Sequence, residues 1–134
     1  MVIDTSKIAI LEDNERTKLT EEEWQSIEQI FQKAINDYNQ NTNNKIDVKN
    51  YLRQYVVSEN ETGEKKVWIN CFCDKGEEYR KTRRKRREKY GVITAEDNWK
   101  EEVVTVLDGG KCYFNLTVNL SKETYYDFRI NGEA

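Results

Sequence analysis

The chain contains no histidine and no proline. Without an imidazole, every Ser–His and Cys–His nucleophilic mechanism is excluded, and so are the zinc sites that need a histidine ligand. The missing proline says little about the fold. Long apolar runs are missing too: nothing approaches the roughly 18–20 consecutive apolar residues of a membrane span. Residues 1–11 carry only a short apolar patch, at 8–11, and one lysine before it, too little for a signal peptide. That leaves the compartment open, because a mature secreted or periplasmic chain reads the same way.

Cysteine is scarce, and the count of three is odd, so at least one thiol is free or pairs with another chain. Cys71 and Cys73 stand two apart in a strand-like run, on one side of it, with Cα atoms about 6.6 Å apart. A bond between them would strain an extended strand. The expectation is three small buried hydrophobes in the reduced state. A disulfide from Cys112 to Cys71 or Cys73 is the alternative. Three thiolates on a soft metal is a further one, but with no histidine and no fourth cysteine no metal site is expected.

What is present is enough for one domain over residues 1–134 with a core of its own. Charged residues make up 35% and the apolar class 37%, yet the apolar residues fall into periodic runs, and eight tyrosines and three tryptophans argue against disorder. Residues 1–19 form an extended lead-in. Thr20 then opens a helix with Glu23 three residues on, the pattern of a capping box, and Glu21, Glu22 and Glu23 favour the positive end of the helix dipole. Trp24, Ile27, Phe31, Ala34, Ile35 and Tyr38 recur at helical spacing as one stripe, and the asparagine-rich residues 39–44 end it.

After the helix the period changes to two. Residues 51–57 put Tyr51, Arg53, Tyr55 and Val57 on one face. Residues 66–74 put Val67, Ile69, Cys71 and Cys73 on one face and Trp68, Asn70 and Phe72 on the other, and residues 59–63 between these runs form a hairpin loop. Residues 99–107 are expected as a third strand, followed by a tight turn at 108–110. In the fourth strand Cys112, Phe114, Leu116, Val118 and Leu120 face in while Tyr113, Asn115, Thr117 and Asn119 face out. After a turn at 121–123 the last strand turns Tyr126, Phe128 and Ile130 inward. The predicted class is therefore α+β: one N-terminal amphipathic helix packed on a curved antiparallel sheet of four to five strands.

Residues 75–98 interrupt this order between the second and third strands. Within 80–89 there are eight Lys or Arg and one Glu, net +7, which leaves −10 for the rest of a chain whose formal net charge is −3. Glu77 and Glu78 before the run and Gly91 after it are how a helix is written, and Tyr79 and Tyr90 would share a face that docks it on the domain. Arg80, Lys81, Arg83, Arg84, Lys85, Arg86, Arg87 and Lys89 are the candidate anion-binding residues, since guanidinium binds oxyanions bidentately. An acidic protein, a second copy of the chain, nucleic acid and plain solvent are the alternative partners. The charge of −10 elsewhere works against a long phosphate backbone.

A second candidate surface is the outward aromatic set Trp68, Phe72, Tyr113 and Tyr125, which would mark an interface if it stays exposed. The alternative is that the lead-in, with Ile8, Ile10 and Leu11, covers it. Carboxylates are so frequent that no acid–base pair stands out, so no catalytic residue and no cofactor are expected. The triplets at Asn60, Asn115 and Asn119 fit the glycosylation pattern, and the last two lie in a strand.

The order of one helix followed by antiparallel strands resembles the cystatin-like and NTF2-like domains. Residues 53–55, 68–73, 108–110 with 112–115, and 131–134 resemble small single-domain proteins of Bacteroidetes-type bacteria, over residues 20–134 apart from the basic segment. The resemblance implies a curved sheet and no defined chemistry. NTF2-like domains that are enzymes would imply a polar dyad deep in a conical pocket. Cystatins would imply a protease-inhibiting hairpin, which residues 54–58 resemble, with Ser58 where the motif has glycine. A non-enzymatic interaction module is the leading expectation. Polyanion binding, a small pocket enzyme or ligand-binding domain, and cysteine protease inhibition are the alternatives.

Overall fold

Thr20 starts the helix as its sequence requires. In a computed structural model of the chain, which describes residues 5–11, 18–90, 98–105 and 110–132, its hydroxyl accepts from the Glu23 N–H at 3.1 Å. The Glu23 carboxylate accepts in return from the Thr20 N–H at 3.0 Å. The helix, α1, runs Glu21–Gln40. Asn41 ends it, and the Asn39 side chain ties the following loop down by bonding both the N–H and the carbonyl of Ile46. Ile27, Phe31, Ala34 and Ile35 of the expected stripe are buried, with Trp24 and Tyr38 partly so.

Among the described residues, five strands form one mixed sheet in chain order: β1 (Ile8–Leu11), β2 (Tyr51–Glu59), β3 (Lys65–Cys73), β4 (Tyr113–Asn119) and β5 (Thr124–Ile130). The lead-in thus supplies a strand. β1 lies parallel to β2, and α1 is the crossover that a parallel pair needs. The other three pairings are antiparallel. The wholly antiparallel sheet expected from the sequence is corrected to a mixed one. Beneath α1, Tyr55, Val67, Ile69, Cys71, Phe114, Leu116 and Val118 are fully buried and form the main core with the helix stripe. The β2–β3 hairpin turns through residues 60–63, with Gly63 at φ +83, a conformation that glycine adopts without a steric cost.

Two strand expectations fail for physical reasons. Residues 98–105 form a turn and an irregular segment, not a strand; residues 106–109, with most of the expected turn, lie outside the described ones. Both edges of β3 are taken by β2 and β4, so the run has no place beside β3, and it lies across the sheet face. In β5, alternation breaks at a bulge. Thr117 pairs with Tyr126 and Asn115 with Arg129, so Leu116 alone faces the two residues Asp127 and Phe128. Asp127 takes φ +53, which a short polar side chain tolerates. The phase therefore shifts. Tyr125, Phe128 and Ile130 pack on the core, and Tyr126, expected inside, is exposed.

The thiol expectation is corrected as well. Cys73, at the end of β3, and Cys112, just before β4, form a disulfide with Cα atoms 4.8 Å apart, while Cys71 is a buried free thiol. The disulfide brackets residues 74–111. With two cysteines bonded, the three-thiolate reading is gone. Among the described residues, no helix is long and apolar enough to cross a membrane.

Candidate functional site

Three places on this fold hold chemistry. The first lies between α1 and the sheet. Glu28 is a polar position within the buried side of the helix, and Arg53 and Tyr55 rise towards it from β2. Arg53 Nη1 donates to both carboxylate oxygens of Glu28, at 3.0 and 2.8 Å, and to the Tyr55 hydroxyl at 2.9 Å. The Tyr55 hydroxyl donates in turn to Glu28. The guanidinium also lies over the Phe31 ring, 4.7 Å from its centroid. Burial drives the Tyr55 phenol well above its usual range, reinforced by the Glu28 charge. Burial alone would lower the Arg53 value, but Tyr55 and Glu28 hold it above its usual one. Neither shift brings a proton within reach of neutral pH. The described residues leave no buried side-chain nitrogen or oxygen without a hydrogen bond. The trio therefore fixes the helix on the sheet. The sequence signal was available in Arg53, a cation on the inward face of a strand, and in Glu28 beside the helix stripe.

The second place is the outer face of the sheet, and reasoning from sequence missed its main feature. Gln54 on β2 and Asn70 on β3 are register partners, both buried, with Asn70 donating to Gln54 Oε1 at 3.0 Å. Together they grip the backbone of residues 98–105. Gln54 Nε2 donates to the carbonyls of Trp99 and Glu102, each at 2.5 Å, and Gln54 Oε1 accepts from the Val104 N–H at 2.9 Å. Asn70 Nδ2 donates to the Val104 carbonyl at 2.8 Å. A segment lying on a sheet face cannot use the ladder, so these two amides satisfy its backbone instead. Trp99 and Val104 are thereby pressed into a second apolar cluster with Ala9, Leu11, Leu52 and Phe72, the Trp99 and Phe72 rings meeting edge to face at 6.1 Å.

The four outward aromatics do not form one patch. Phe72 is buried under this strap, and Tyr113 packs against the same cluster. Trp68 is half-buried farther along the face, its indole N–H donating to Asn115 at 3.2 Å. Tyr125 is on the opposite face, where the bulge puts it, with its hydroxyl donating to Asp37 at 2.8 Å. Of the lead-in residues expected to cover the patch, Leu11 does so, joined by Ala9. Ile8 packs on the helix side, and Ile10 is exposed.

The third place is a second helix, α2, over Glu77–Tyr90. Gly76, at φ +90, turns the chain out of β3 into it, and Asp74 braces the turn by accepting from the Gly76 N–H at 3.0 Å. The Asp74 N–H donates to the Asn50 carbonyl at 2.7 Å, and Lys7 sits 3.5 Å from the Asp74 carboxylate. With the Cys73–Cys112 disulfide directly before it, the root of α2 is firmly held. Lys81, Lys85 and Lys89 are exposed and recur every four residues, about 6 Å apart along the axis. The side chains of Arg80, Arg83, Arg84, Arg86, Arg87 and Tyr90 lie outside the described ones. Tyr79 was expected to dock the helix, but it is 37% exposed, with Lys75 Nζ 5.1 Å from its ring centroid.

Gln54 to Ser58, the residues that resemble an inhibitory hairpin, lie inside β2, and the turn comes after them at 60–63. Asn60 is exposed in that turn, with its amide oxygen accepting from Thr62 and Glu64, whereas Asn119 is buried and bonded to Glu64 and Lys122. Compared with known proteins, the chain matches no family model, no curated protein and no solved structure.

Proposed function

We propose that the protein is a non-enzymatic interaction module that engages an acidic protein partner through α2. The observation that carries this reading is the concentration of charge: net +7 within residues 80–89, on a helix whose described lysines are all exposed, against −10 for the rest of the chain. A helix this polar gains little from packing, so its composition needs another explanation than the core, and binding supplies one. Its rooted base supports the same reading, because a contact element held at its start loses less freedom when it binds.

The competing enzyme reading would draw on Glu28, Arg53 and Tyr55. Their hydrogen bonds to one another, and shifts that carry Tyr55 and Arg53 away from neutral pH, favour a structural role. A protease-inhibiting hairpin finds no support in residues that lie within a strand and not at its turn. Polyanion binding through the same helix remains the second reading, opposed by the negative charge of the rest of the chain. On the proposed reading the fold belongs with the cystatin-like and NTF2-like domains of Bacteroidetes-type bacteria, and residues 75–98 are its basic insertion. The disulfide fits an oxidising compartment.

The test is a pull-down from the source cell with the parent chain and with Arg83, Arg84, Arg86 and Arg87 all changed to Ser. Retention of an acidic protein by the parent and its loss in the folded variant is the expected result. Partners retained equally by both would overturn the assignment to α2, and turnover in an unbiased hydrolase screen would overturn the non-enzymatic reading.

A further inference from the structure

Helical geometry sorts the basic residues of α2 by type. At 100° per residue, the five arginines (Arg80, Arg83, Arg84, Arg86 and Arg87) fall within an arc of about 160°, and Tyr79 and Tyr90 fall in the same arc. The three lysines Lys81, Lys85 and Lys89 fall on the other side, interleaved with Glu78, Thr82 and Glu88. That lysine side is solvated: all six of its residues are exposed, and Lys81 lies 3.9 Å from Glu78, a weak surface pairing. Its two carboxylates reduce its net charge to +1, although it carries three of the eight cations.

We propose that the arginine–tyrosine face of α2, and not its lysine face, is the recognition surface, and that it takes carboxylates of an acidic protein segment. The inference rests on the reading of α2 as the contact element and specifies which half of it makes the contact. Guanidinium groups present a planar fork that matches a carboxylate with two parallel hydrogen bonds, whereas an ammonium is a strongly hydrated point charge. Arginine and tyrosine are enriched in the buried centres of interfaces, and lysine is depleted there. Tyr79, the described side chain of that face, is exposed. Charge complementarity selects an acidic partner. A compact acidic segment is favoured over nucleic acid because the −10 elsewhere would repel a phosphate backbone extending past the helix.

A charge-conserving exchange tests this directly. One variant carries Arg80, Arg83, Arg84 and Arg87 changed to Lys, which removes no charge. The other carries Lys81, Lys85 and Lys89 changed to Gln, which removes three. All these residues have similar helix propensity, and circular dichroism checks that α2 persists in both. Binding is measured at physiological salt to a labelled glutamate-rich peptide and, separately, to duplex DNA. The expected result is a loss of about tenfold in peptide affinity for the lysine-for-arginine variant and less than about threefold for the glutamine variant. Equal or greater loss in the glutamine variant would overturn the assignment of the face while leaving α2 as the contact element. A parent protein that binds neither probe would sink the reading of α2 itself. Tighter binding to DNA than to the peptide would overturn the acidic-protein partner.

Discussion

The side-chain amide of Gln54 holds the backbone carbonyl of Trp99 at 2.5 Å, although the two residues are 45 apart in the chain. This bond and the three others that Gln54 and Asn70 make to the backbone of Glu102 and Val104 stand where strand pairing was expected. They also fix the ring of Trp99 over Phe72. Gln54→Leu keeps the volume but strands two carbonyls, one N–H and the Asn70 amide in a buried place. Unpartnered buried groups cost about 1–3 kcal/mol each, and partial release of the strap to water limits the total to about 3 kcal/mol. Tryptophan fluorescence should shift to the red as Trp99 is uncovered, while the far-ultraviolet dichroism of the sheet is kept. An unshifted spectrum at unchanged stability would show that the strap is held by its apolar contacts alone.

The disulfide yields a second test. It closes a loop with a sequence separation of 39, and removing that restraint from the unfolded chain is worth about 4 kcal/mol in the loop-entropy account. Adding a dithiol reductant should lower the melting temperature clearly, and Cys112→Ser should show the lower value whether or not reductant is present. Cys71 is buried and free, so Cys71→Ala should leave the response to reductant intact. Melting curves that coincide with and without reductant would contradict the Cys73–Cys112 bond.

How much of this was legible in the sequence depended on whether the signal was local. The capping box at Thr20 and Glu23, the stripe from Ile27 to Ile35, and the alternation in β2, β3 and β4 are written within a few residues, and all were read correctly. The bulge at Asp127 was not, because the tolerance of aspartate for positive φ is only a weak signal within a strand and a plain period of two would place Tyr126 inside. The strap was misread because residues 99–107 have the composition of a strand. What decides their fate is Gln54 and Asn70, about thirty to fifty positions away, acting only once β2 and β3 are paired. β1 was hidden for the same reason, since a four-residue parallel edge strand is stabilised by its neighbour and not by its own propensity. At the candidate site, the charge run was plain in the sequence, while the rooting of α2 by Asp74, Gly76 and the disulfide needed coordinates.

Glu28 and Arg53 supply a third prediction. Arg53 is held in a largely buried position by two hydrogen bonds to one carboxylate. Glu28→Ala removes the counter-charge and leaves the guanidinium buried without it, which should cost about 3–5 kcal/mol. The pair is not required in itself: Glu28→Leu combined with Arg53→Met should recover much of the loss, because an apolar pair of similar volume does not require desolvated charge. Urea unfolding of the two variants measures the difference. If the double variant is no more stable than Glu28→Ala, the trio contributes more than packing, and a functional role for it returns.

The last prediction concerns pH and has two limbs. The Lys33 and Tyr125 hydrogen bonds lower the Asp37 value, and hydrogen bonds from Asn119 and Asn60 lower that of Glu64. Burial opposes the shift of Glu23, but its bonds with Thr20 and Lys65 outweigh it. A carboxylate whose folded value lies below its unfolded one stabilises the fold above the unfolded value, and this stability is lost as pH falls through the folded value. Stability should therefore begin to decline below about pH 4.5. On the alkaline side the sign reverses. Burial raises Cys71 and Tyr55 far above their usual values and pushes Tyr51 up to about 12. These groups hold their protons longer in the folded state, so stability is fully present below their unfolded values and drains away as pH rises above about 9. Tyr51→Phe separates the contributions. It forfeits the hydrogen bond to the Lys111 carbonyl, about 1 kcal/mol at neutral pH, but it removes one of the groups that must lose a proton on unfolding. The variant should be less stable than the parent at pH 7 and should lose less with each further pH unit above about 10. Parallel curves for the two proteins across that range would show that Tyr51 titrates alike in the folded and unfolded chains.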